Sequence, residues 1–413
     1  MQGADFAPAV TLSGDNRFAV NPDIAITKSG RSVVAWLESD TESTPAGVRA
    51  AVQDGSGRWD RAQIKTLSGP HKNAVQPSVA TSGERAVVAW AEGKPSHRTI
   101  MISRYDGQWS SPVRVPSDRA ANPEVALAPD GTINVAWTQQ DGERTAAMFA
   151  VGSISKFDSK KLSRTNEDVV SADLALSDSG KPTVTWYSTK DNRYSVRASS
   201  PSNAGSKAVT LSTDSSDVNA VQPRIASRAG TTMVTWQQIN GSEPQHVEFS
   251  SLKTDGSWSA PTRLPEAGDG AANPVIGVDG HGLASIVWIK SGACDQGMLS
   301  RQTGPSSWAP AVEVTDSKRD NDNEQIAVSS SGAAIVGWPG VDPSEHPGLP
   351  PAQVNVRDAT GAWGGVQTLS PQGSKTSGAS VAISDAGQLA AIWSLGDDAT
   401  RSRIDVATTL TPR

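Results

Sequence analysis

Short apolar runs alternate with polar, turn-rich segments along the whole chain, and eight of these runs end in tryptophan. Val33-Val34-Ala35-Trp36 and Thr183-Val184-Thr185-Trp186 are two examples. The intervals between the eight tryptophans are 54, 47, 49, 50, 52, 50 and 55 residues. A period near 50 residues that persists through the chain predicts a repeat protein. The repeats are centred on Trp36, Trp90, Trp137, Trp186, Trp236, Trp288, Trp338 and Trp393.

Each repeat has the same internal order of segments. A polar residue, often followed by proline, leads a short apolar stretch such as Asn21-Pro22-Asp23-Ile24-Ala25, and a glycine-bearing turn precedes the tryptophan run. A third segment and a fourth, led by motifs such as Gly256-Ser257-Trp258, complete the repeat. No helical periodicity separates them, and four antiparallel strands in about 50 residues are typical of a propeller blade. We therefore predict an all-β, eight-bladed β-propeller that forms a single domain over residues 1–413.

The two ends of the chain predict how the propeller closes. The last repeat supplies three strands, up to about Val406, and lacks a fourth. The N-terminal segment Phe6-Ala7-Pro8-Ala9-Val10-Thr11-Leu12 matches Trp308-Ala309-Pro310-Ala311-Val312-Glu313-Val314 in register. We expect this N-terminal strand to complete the C-terminal blade, which would remove exposed sheet edges. Seven blades with one extra repeat is an alternative that fits the chain ends less well.

Composition narrows the possible functions. The chain has 13 Trp against 5 Phe and 3 Tyr. We expect the eight repeat tryptophans to pack between blades and the other five to lie on outer strands. A single cysteine, Cys294, excludes a disulfide framework and a multi-cysteine metal site. A net charge of −6 without a basic stripe argues against nucleic acid as a partner, and no apolar run is long enough for membrane insertion. We expect a monomer without cofactor or bound metal.

The Gly131-to-Trp137 spacing and the segment Trp258-Ser259-Ala260-Pro261 resemble the repeats of secreted and surface β-propellers of bacteria, both sialidase-like and lectin-like. The resemblance implies the propeller fold and a secreted or cell-surface location. Such propellers serve as lectins, adhesins, scaffolds and sometimes glycosidases, so the resemblance is weaker for function. Met1–Asp5 lacks the basic and apolar regions of a signal peptide.

Catalytic signatures are weak in this sequence. Ser177–Gly180 and Ser384–Gly387 look similar to the Asp-box turns of sialidases, but the tryptophan follows the glycine by six residues instead of three. A sialidase also needs three convergent arginines and a tyrosine nucleophile. Tyr187 and Tyr194 bracket one loop, without an evident constellation around them. The oxygen-rich run Asp320–Glu324 lacks EF-hand spacing and is interpreted as a solvated loop. We therefore favour a protein that is not an enzyme.

Loops on one face of a propeller surround the mouth of its central channel, where a rigid scaffold usually carries function. We define the lead residue as the polar residue that starts the first strand of each repeat, and we expect these residues to surround the mouth as hydrogen-bonding groups suited to glycans. The predicted binding residues of this class are Asn21, Gln76, Asn122, Gln222, Asn273 and Asn323.

Two loops are longer than the repeat norm and are expected on the same face. Pro339–Gln353 contains Asp342, Glu345 and His346, and Glu38–Gly47 contains Asp40. We predict a non-catalytic extracellular module that recognises a glycan or acts in adhesion through one face. One alternative is a glycoside hydrolase or lyase with carboxylates such as Asp40, Asp342 and Glu345 over the mouth, and another is a protein–protein interaction scaffold.

Overall fold

The regular structure of the described residues consists of thirty-four β-strands and two short 3-10 helices, Arg61–Gln63 and Pro95–His97. This computed structural model describes residues 4–69, 71–201, 208–213, 215, 217–265, 267–292, 295–315, 320–321, 324–341, 351–371, 375–396 and 401–409. The short strand β1 (Val10–Thr11) comes first. The other strands fall into eight consecutive groups, which we call blades 1 to 8.

The first four blades hold four strands each. Blade 1 contains β2 (Phe18–Ile26), β3 (Ser32–Ser39), β4 (Gly47–Val52) and β5 (Lys65–Thr66). Blade 2 contains β6 (Val75–Ser82), β7 (Arg85–Glu92), β8 (Thr99–Tyr105) and β9 (Val113–Arg114). Blade 3 contains β10 (Ala120–Leu127), β11 (Ile133–Asp141), β12 (Arg144–Ser153) and β13 (Lys156–Lys161). Blade 4 contains β14 (Asp168–Leu176), β15 (Pro182–Lys190), β16 (Arg193–Ser199) and β17 (Val209–Thr210).

The second half follows the same plan with small variations. Blade 5 contains β18 (Val218–Arg228), β19 (Thr231–Asn240), β20 (His246–Ser251) and β21 (Thr262–Arg263). Blade 6 contains β22 (Ala271–Val278), β23 (Ala284–Lys290), β24 (Gln296–Gly304), β25 (Ser307–Trp308) and β26 (Val312–Glu313). Blade 7 contains β27 (Asp320–Asn321), β28 (Gln325–Val328), β29 (Ala334–Val341), β30 (Ala352–Arg357) and β31 (Gln367–Thr368). Blade 8 contains β32 (Lys375–Ile383), β33 (Leu389–Gly396) and β34 (Ser402–Thr408).

The strands of each blade form antiparallel meanders, and the eight groups fit the predicted all-β propeller. The first strands, with β28 taking this place in blade 7, lie innermost, and each contacts its counterparts in both neighbouring blades, with β2 touching both β6 and β32. At the chain ends, Val10 lies opposite Val406 and Thr11 opposite Asp405, so β1 pairs with β34 as the fourth strand of blade 8. A single parallel pair, Phe18 with Ser402, joins blades 8 and 1 into one sheet.

The eight repeat tryptophans are at most 1% exposed and lie on β3, β7, β11, β15, β19, β23, β29 and β33. In some repeats, an acidic or amide residue two positions after the tryptophan accepts a hydrogen bond from the indole N–H. Trp90 Nε1 donates to Glu92 Oε2 at 2.9 Å, and Trp236 Nε1 donates to Gln238 Oε1 at 3.0 Å. Trp36 and Trp137 donate in the same way. Within the described part of the chain, four indoles have no acceptor: Trp186, Trp288, Trp338 and Trp393.

Candidate functional site

The lead residues have a left-handed backbone conformation and lie inside the innermost strands, one to four residues after the first residue, and not at the strand start that the sequence predicted. Their φ angles are close to +50°: 52° at Asn21, 52° at Gln76, 51° at Asn122, 53° at Gln222 and 49° at Asn273. The pairing register shifts at these points, which marks a one-residue β-bulge. Asparagine tolerates this conformation better than most residues, so backbone geometry accounts for part of the residue choice at the mouth.

A cavity of about 500 Å³ opens at this end of the channel. Three of the predicted residues, Asn21, Gln76 and Asn122, line it. Its walls also come from residues two positions further along each first strand, which we call the inner positions. The inner positions are Asp23, Ser78, Glu124, Asp173, Arg224, Val275, Gln325 and Ser380.

Gln222 and Asn273 lie on the opposite side of the mouth. Together with Arg224, Val275 and Gln325 they line a smaller pocket of about 90 Å³ that shares these three inner residues with the main cavity. Neither the Gln222 nor the Asn273 side chain hydrogen-bonds to another described residue. By contrast, the Asn122 backbone N–H donates to Gln76 Oε1 at 2.9 Å, and Gln76 Nε2 donates to Asn122 Oδ1.

Two inner carboxylates connect neighbouring blades. Asp23 Oδ2 accepts from the Val79 N–H of blade 2 at 2.7 Å, and its Oδ1 accepts from the Ser380 hydroxyl of blade 8 at 3.0 Å. Asp173 Oδ2 accepts from the Ile225 N–H of blade 5 at 3.1 Å. Burial raises the pKa of both carboxyls, although these backbone hydrogen bonds act in the opposite direction. Both residues are therefore structural as well as cavity-lining.

Glu124 is the inner carboxylate with the fewest hydrogen bonds to described residues. Its Oε2 accepts only from the Ser78 hydroxyl, at 3.4 Å. Burial, followed by repulsion from the Asp173 charge, raises the pKa of Glu124 to about 8 against the lowering effect of Arg224. At neutral pH this carboxyl is mainly protonated, so it can both donate and accept a hydrogen bond.

An ion pair bridges the far end of the channel. Arg228 lies four residues beyond Arg224 on β18, and its Nη2 contacts both carboxylate oxygens of Asp385 at 2.7 Å. The Ser330 N–H donates to Asp385 at 2.8 Å. Burial opposes ionisation, but the Ser330 N–H and the Arg228 charge hold the pKa of Asp385 below its usual range. Blades 5 and 8 are three steps apart in a circle of eight, so the pair spans nearly the full channel width.

The remaining predicted residues have different positions. Asp40 follows β3 in an exposed ion pair with Arg17, and it does not line the main cavity. Asn323, Asp342, Glu345 and His346 lie outside the described residues, as does Cys294. Asp23, Glu124, Asp173 and Arg224 were missed as site residues. The sequence contains a pattern that could have identified them. Charged residues recur two positions after the lead residue, as in Asn122-Pro123-Glu124, within otherwise apolar strands.

Within the described chain, no group of three or more His, Cys, Asp or Glu side chains is close enough to hold a metal ion. The inner carboxylates therefore face one cavity without forming a chelating cluster. No helix in the described part has the length and apolar character needed to span a bilayer.

Comparison with known proteins identifies the fold. No family model matches the chain, and no curated protein matches it. The β-propeller domain of the Trilobed protease from Pyrococcus furiosus superimposes with a TM-score of 0.50 at 9% identity, over 87% of this chain and 97% of that one. This chain is an all-β propeller. A family PL25 ulvan lyase has a TM-score of 0.49 at 13% identity, covering 79% of this chain and 90% of that one. A Dyadobacter fermentans protein of unknown function covers 99% of both chains, with 8% identity and a TM-score of 0.48.

Proposed function

We propose that this propeller is a non-catalytic recognition module that binds a neutral glycan at the channel mouth. The observation that carries the proposal is the lining of the main cavity, where amides, hydroxyls and carboxyls from many blades converge. Such groups match the donors and acceptors of sugar hydroxyls. A secreted or cell-surface location and a monomeric state belong to the same proposal, and the location rests on the repeat resemblance.

The charge of the cavity favours a neutral ligand over an acidic one. Three carboxyl side chains, Asp23, Glu124 and Asp173, line it beside the single guanidinium of Arg224. An acidic sugar would place its carboxylate or sulfate near the Asp23 and Asp173 carboxylates, which is unfavourable at close range. A sialidase would need three convergent arginines, whereas the described lining residues include one.

A glycan array followed by titration calorimetry tests the proposal. We expect binding of neutral oligosaccharides and little binding of sialylated, uronate or sulfated ones. Glu124→Ala should weaken binding about tenfold, because a ligand hydrogen bond is lost. Glu124→Gln should retain binding and remove the loss of affinity expected for the wild type above pH 8. Glu84→Gln, on the exposed turn at the far end of blade 2, is the matched control. A preference for acidic glycans, or no glycan binding, would overturn the proposal.

Glycoside hydrolysis is a second candidate, supported by the raised pKa of Glu124. A general acid must be protonated at the working pH, and a second carboxylate must act on the other side of the glycosidic bond. Asp173 or Asp23 would take the second role. Release of reducing ends from a bound oligosaccharide by the wild type, but not by Glu124→Gln, would establish this function. Binding without release would leave recognition as the function.

A further inference from the structure

A second cavity lies on the mouth face beside blades 4 to 6. It has a volume of about 440 Å³ and combines two tyrosines, two valines and three amide side chains. We call it the tyrosine groove. The lining residues that the inference uses are Val170, Tyr187, Tyr194, Gln222, Gln237 and Asn273.

Local structure holds the aromatic wall of this groove in place. Asp191 and Asn192 have φ angles of 52° and 60°, as required in a two-residue type I′ hairpin between β15 and β16. The Tyr194 N–H donates to Asn219 Oδ1 of blade 5 at 2.9 Å, which ties the hairpin to its neighbour. The Tyr187 and Tyr194 rings are tilted by 46° with centroids 6.0 Å apart. The Tyr194 side chain stays 37% exposed on this rigid support.

A displaced bulge completes the apolar part of the groove. In blade 4 the register shifts between Val169 and Ser171, one or two residues earlier in the strand than in blades 1 to 3. The extra residue is Val170, and its side chain is 44% exposed. Val170 and the two tyrosine rings together form an exposed apolar surface. Contact of this surface with water is unfavourable, so a ligand that covers it gains binding free energy.

The tyrosine groove is continuous with the channel mouth through two amides. Gln222 and Asn273 line both the groove and the 90 Å³ pocket, which in turn shares Arg224 with the main cavity. Gln237 fixes this junction, because its Oε1 accepts from the Asn273 N–H at 3.4 Å and its Nε2 donates to Gln245 at 2.6 Å. The Gln222 and Asn273 side-chain amides remain available to a ligand.

We infer that the tyrosine groove is a second sugar subsite, so that the ligand is an oligosaccharide running from the main cavity over Gln222 and Asn273 onto the tyrosine pair. The inference rests on the proposed function, from which it takes the class of ligand. A pyranose has an apolar C–H face and a polar rim of hydroxyls. The tyrosine rings and Val170 can pack against the C–H face, and the amides can hydrogen-bond to the hydroxyls.

Calorimetry with disaccharides and hexasaccharides of glucose, xylose and N-acetylglucosamine tests this inference. For the sugar that binds, the hexasaccharide should bind the wild type more tightly than the disaccharide. Tyr194→Ala should weaken hexasaccharide binding about tenfold and leave the disaccharide unchanged, whereas Tyr194→Phe keeps the ring and most of the affinity. Val170→Ala should weaken hexasaccharide binding about twofold to threefold. Val209→Ala removes an equally exposed valine (45%) outside the groove and should have no effect.

Four outcomes separate the two proposals. Loss of the length advantage in Tyr194→Ala supports the groove. An unchanged hexasaccharide affinity in Tyr194→Ala overturns the groove but leaves channel recognition standing. Loss in Tyr194→Ala with no effect of Glu124→Ala supports the groove and overturns the channel site. No binding of any of these sugars overturns both.

Discussion

The two sides of the channel mouth use the same sequence position in opposite ways. Gln76 of blade 2 and Gln222 of blade 5 are both lead residues of an innermost strand, with φ angles of 52° and 53°. Gln76 is bonded to Asn122 of blade 3, whereas the Gln222 side chain has no hydrogen bond to another described residue. The indoles deeper in the blades follow a different division: Trp90 of blade 2 and Trp236 of blade 5 both have an acceptor, whereas Trp288 of blade 6 has none in the described chain.

A repeat position therefore fixes the backbone conformation but not whether the side chain is free to bind a ligand. The neighbouring blade decides that. On the paired side, consecutive blades supply amides that satisfy each other. On the unpaired side, the inner position of blade 6 is Val275, and the amides of blades 5 and 6 face the tyrosine groove. A ligand would therefore find free amide groups mainly on the second side, whereas the first side offers the Glu124 carboxyl.

The largest expected effect concerns Glu124, the carboxyl on the paired side with few partners. Because its folded-state pKa is raised from 4.5 to about 8, wild-type stability should fall as pH rises through this interval. A shift of this size sets an upper limit of about 5 kcal/mol, and solvent at the open mouth reduces it. We expect Glu124→Gln to be about 2 kcal/mol more stable than the wild type at pH 9 and nearly equal to it at pH 5. Urea titrations at both pH values measure this, and an equal effect at the two values would contradict it.

The second prediction compares the two glutamines at the channel mouth, Gln76 and Gln222. Gln76→Ala and Gln222→Ala place the same residue in the same left-handed conformation, so the backbone penalty cancels between them. Gln76→Ala also removes two hydrogen bonds with Asn122. We expect it to be less stable than Gln222→Ala by about 1 to 2 kcal/mol in urea unfolding. Equal losses would show that the Gln76–Asn122 pair contributes nothing.

The smallest effect concerns the unpaired indole of blade 6. Lys290 lies two residues after Trp288, at the position that holds Glu92 or Gln238 in blades 2 and 5. Lys290→Gln should supply the missing acceptor and stabilise the protein by about 0.5 to 1 kcal/mol. Lys290→Leu lacks an acceptor and serves as the control. A gain of the same size in the leucine variant would attribute the effect to lost charge instead.

Much of the architecture was predictable because it depends on local patterns that repeat. The tryptophan spacing gives the strand groups, and the match of Phe6–Leu12 to the outer strand of blade 6 places β1 beside β34, where it is observed. The burial of the eight tryptophans follows from their place at the end of apolar runs. Asn21, Gln76 and Asn122 line the main cavity, and their role in binding stays a prediction.

The finer features of the site depend on which blades are neighbours. The raised pKa of Glu124 arises partly from Asp173, which lies 49 residues away in sequence. The tyrosine groove needs Tyr187 and Tyr194 from blade 4 next to Gln222 and Asn273 from blades 5 and 6. No sequence window contains these groups together. The sequence did carry one clue, since Tyr187 is the only aromatic residue that directly follows a repeat tryptophan.

The bridge between Arg228 and Asp385 crosses the channel at the end away from the mouth, so we expect a ligand to enter and leave by the mouth. A polymer could pass through the propeller only by breaking this ion pair, so threading along a chain is disfavoured. An extended ligand must instead insert a terminus or a side branch and withdraw by the same route. The protein could then not slide along a polymer, and it would have to release one terminus or branch before it binds the next.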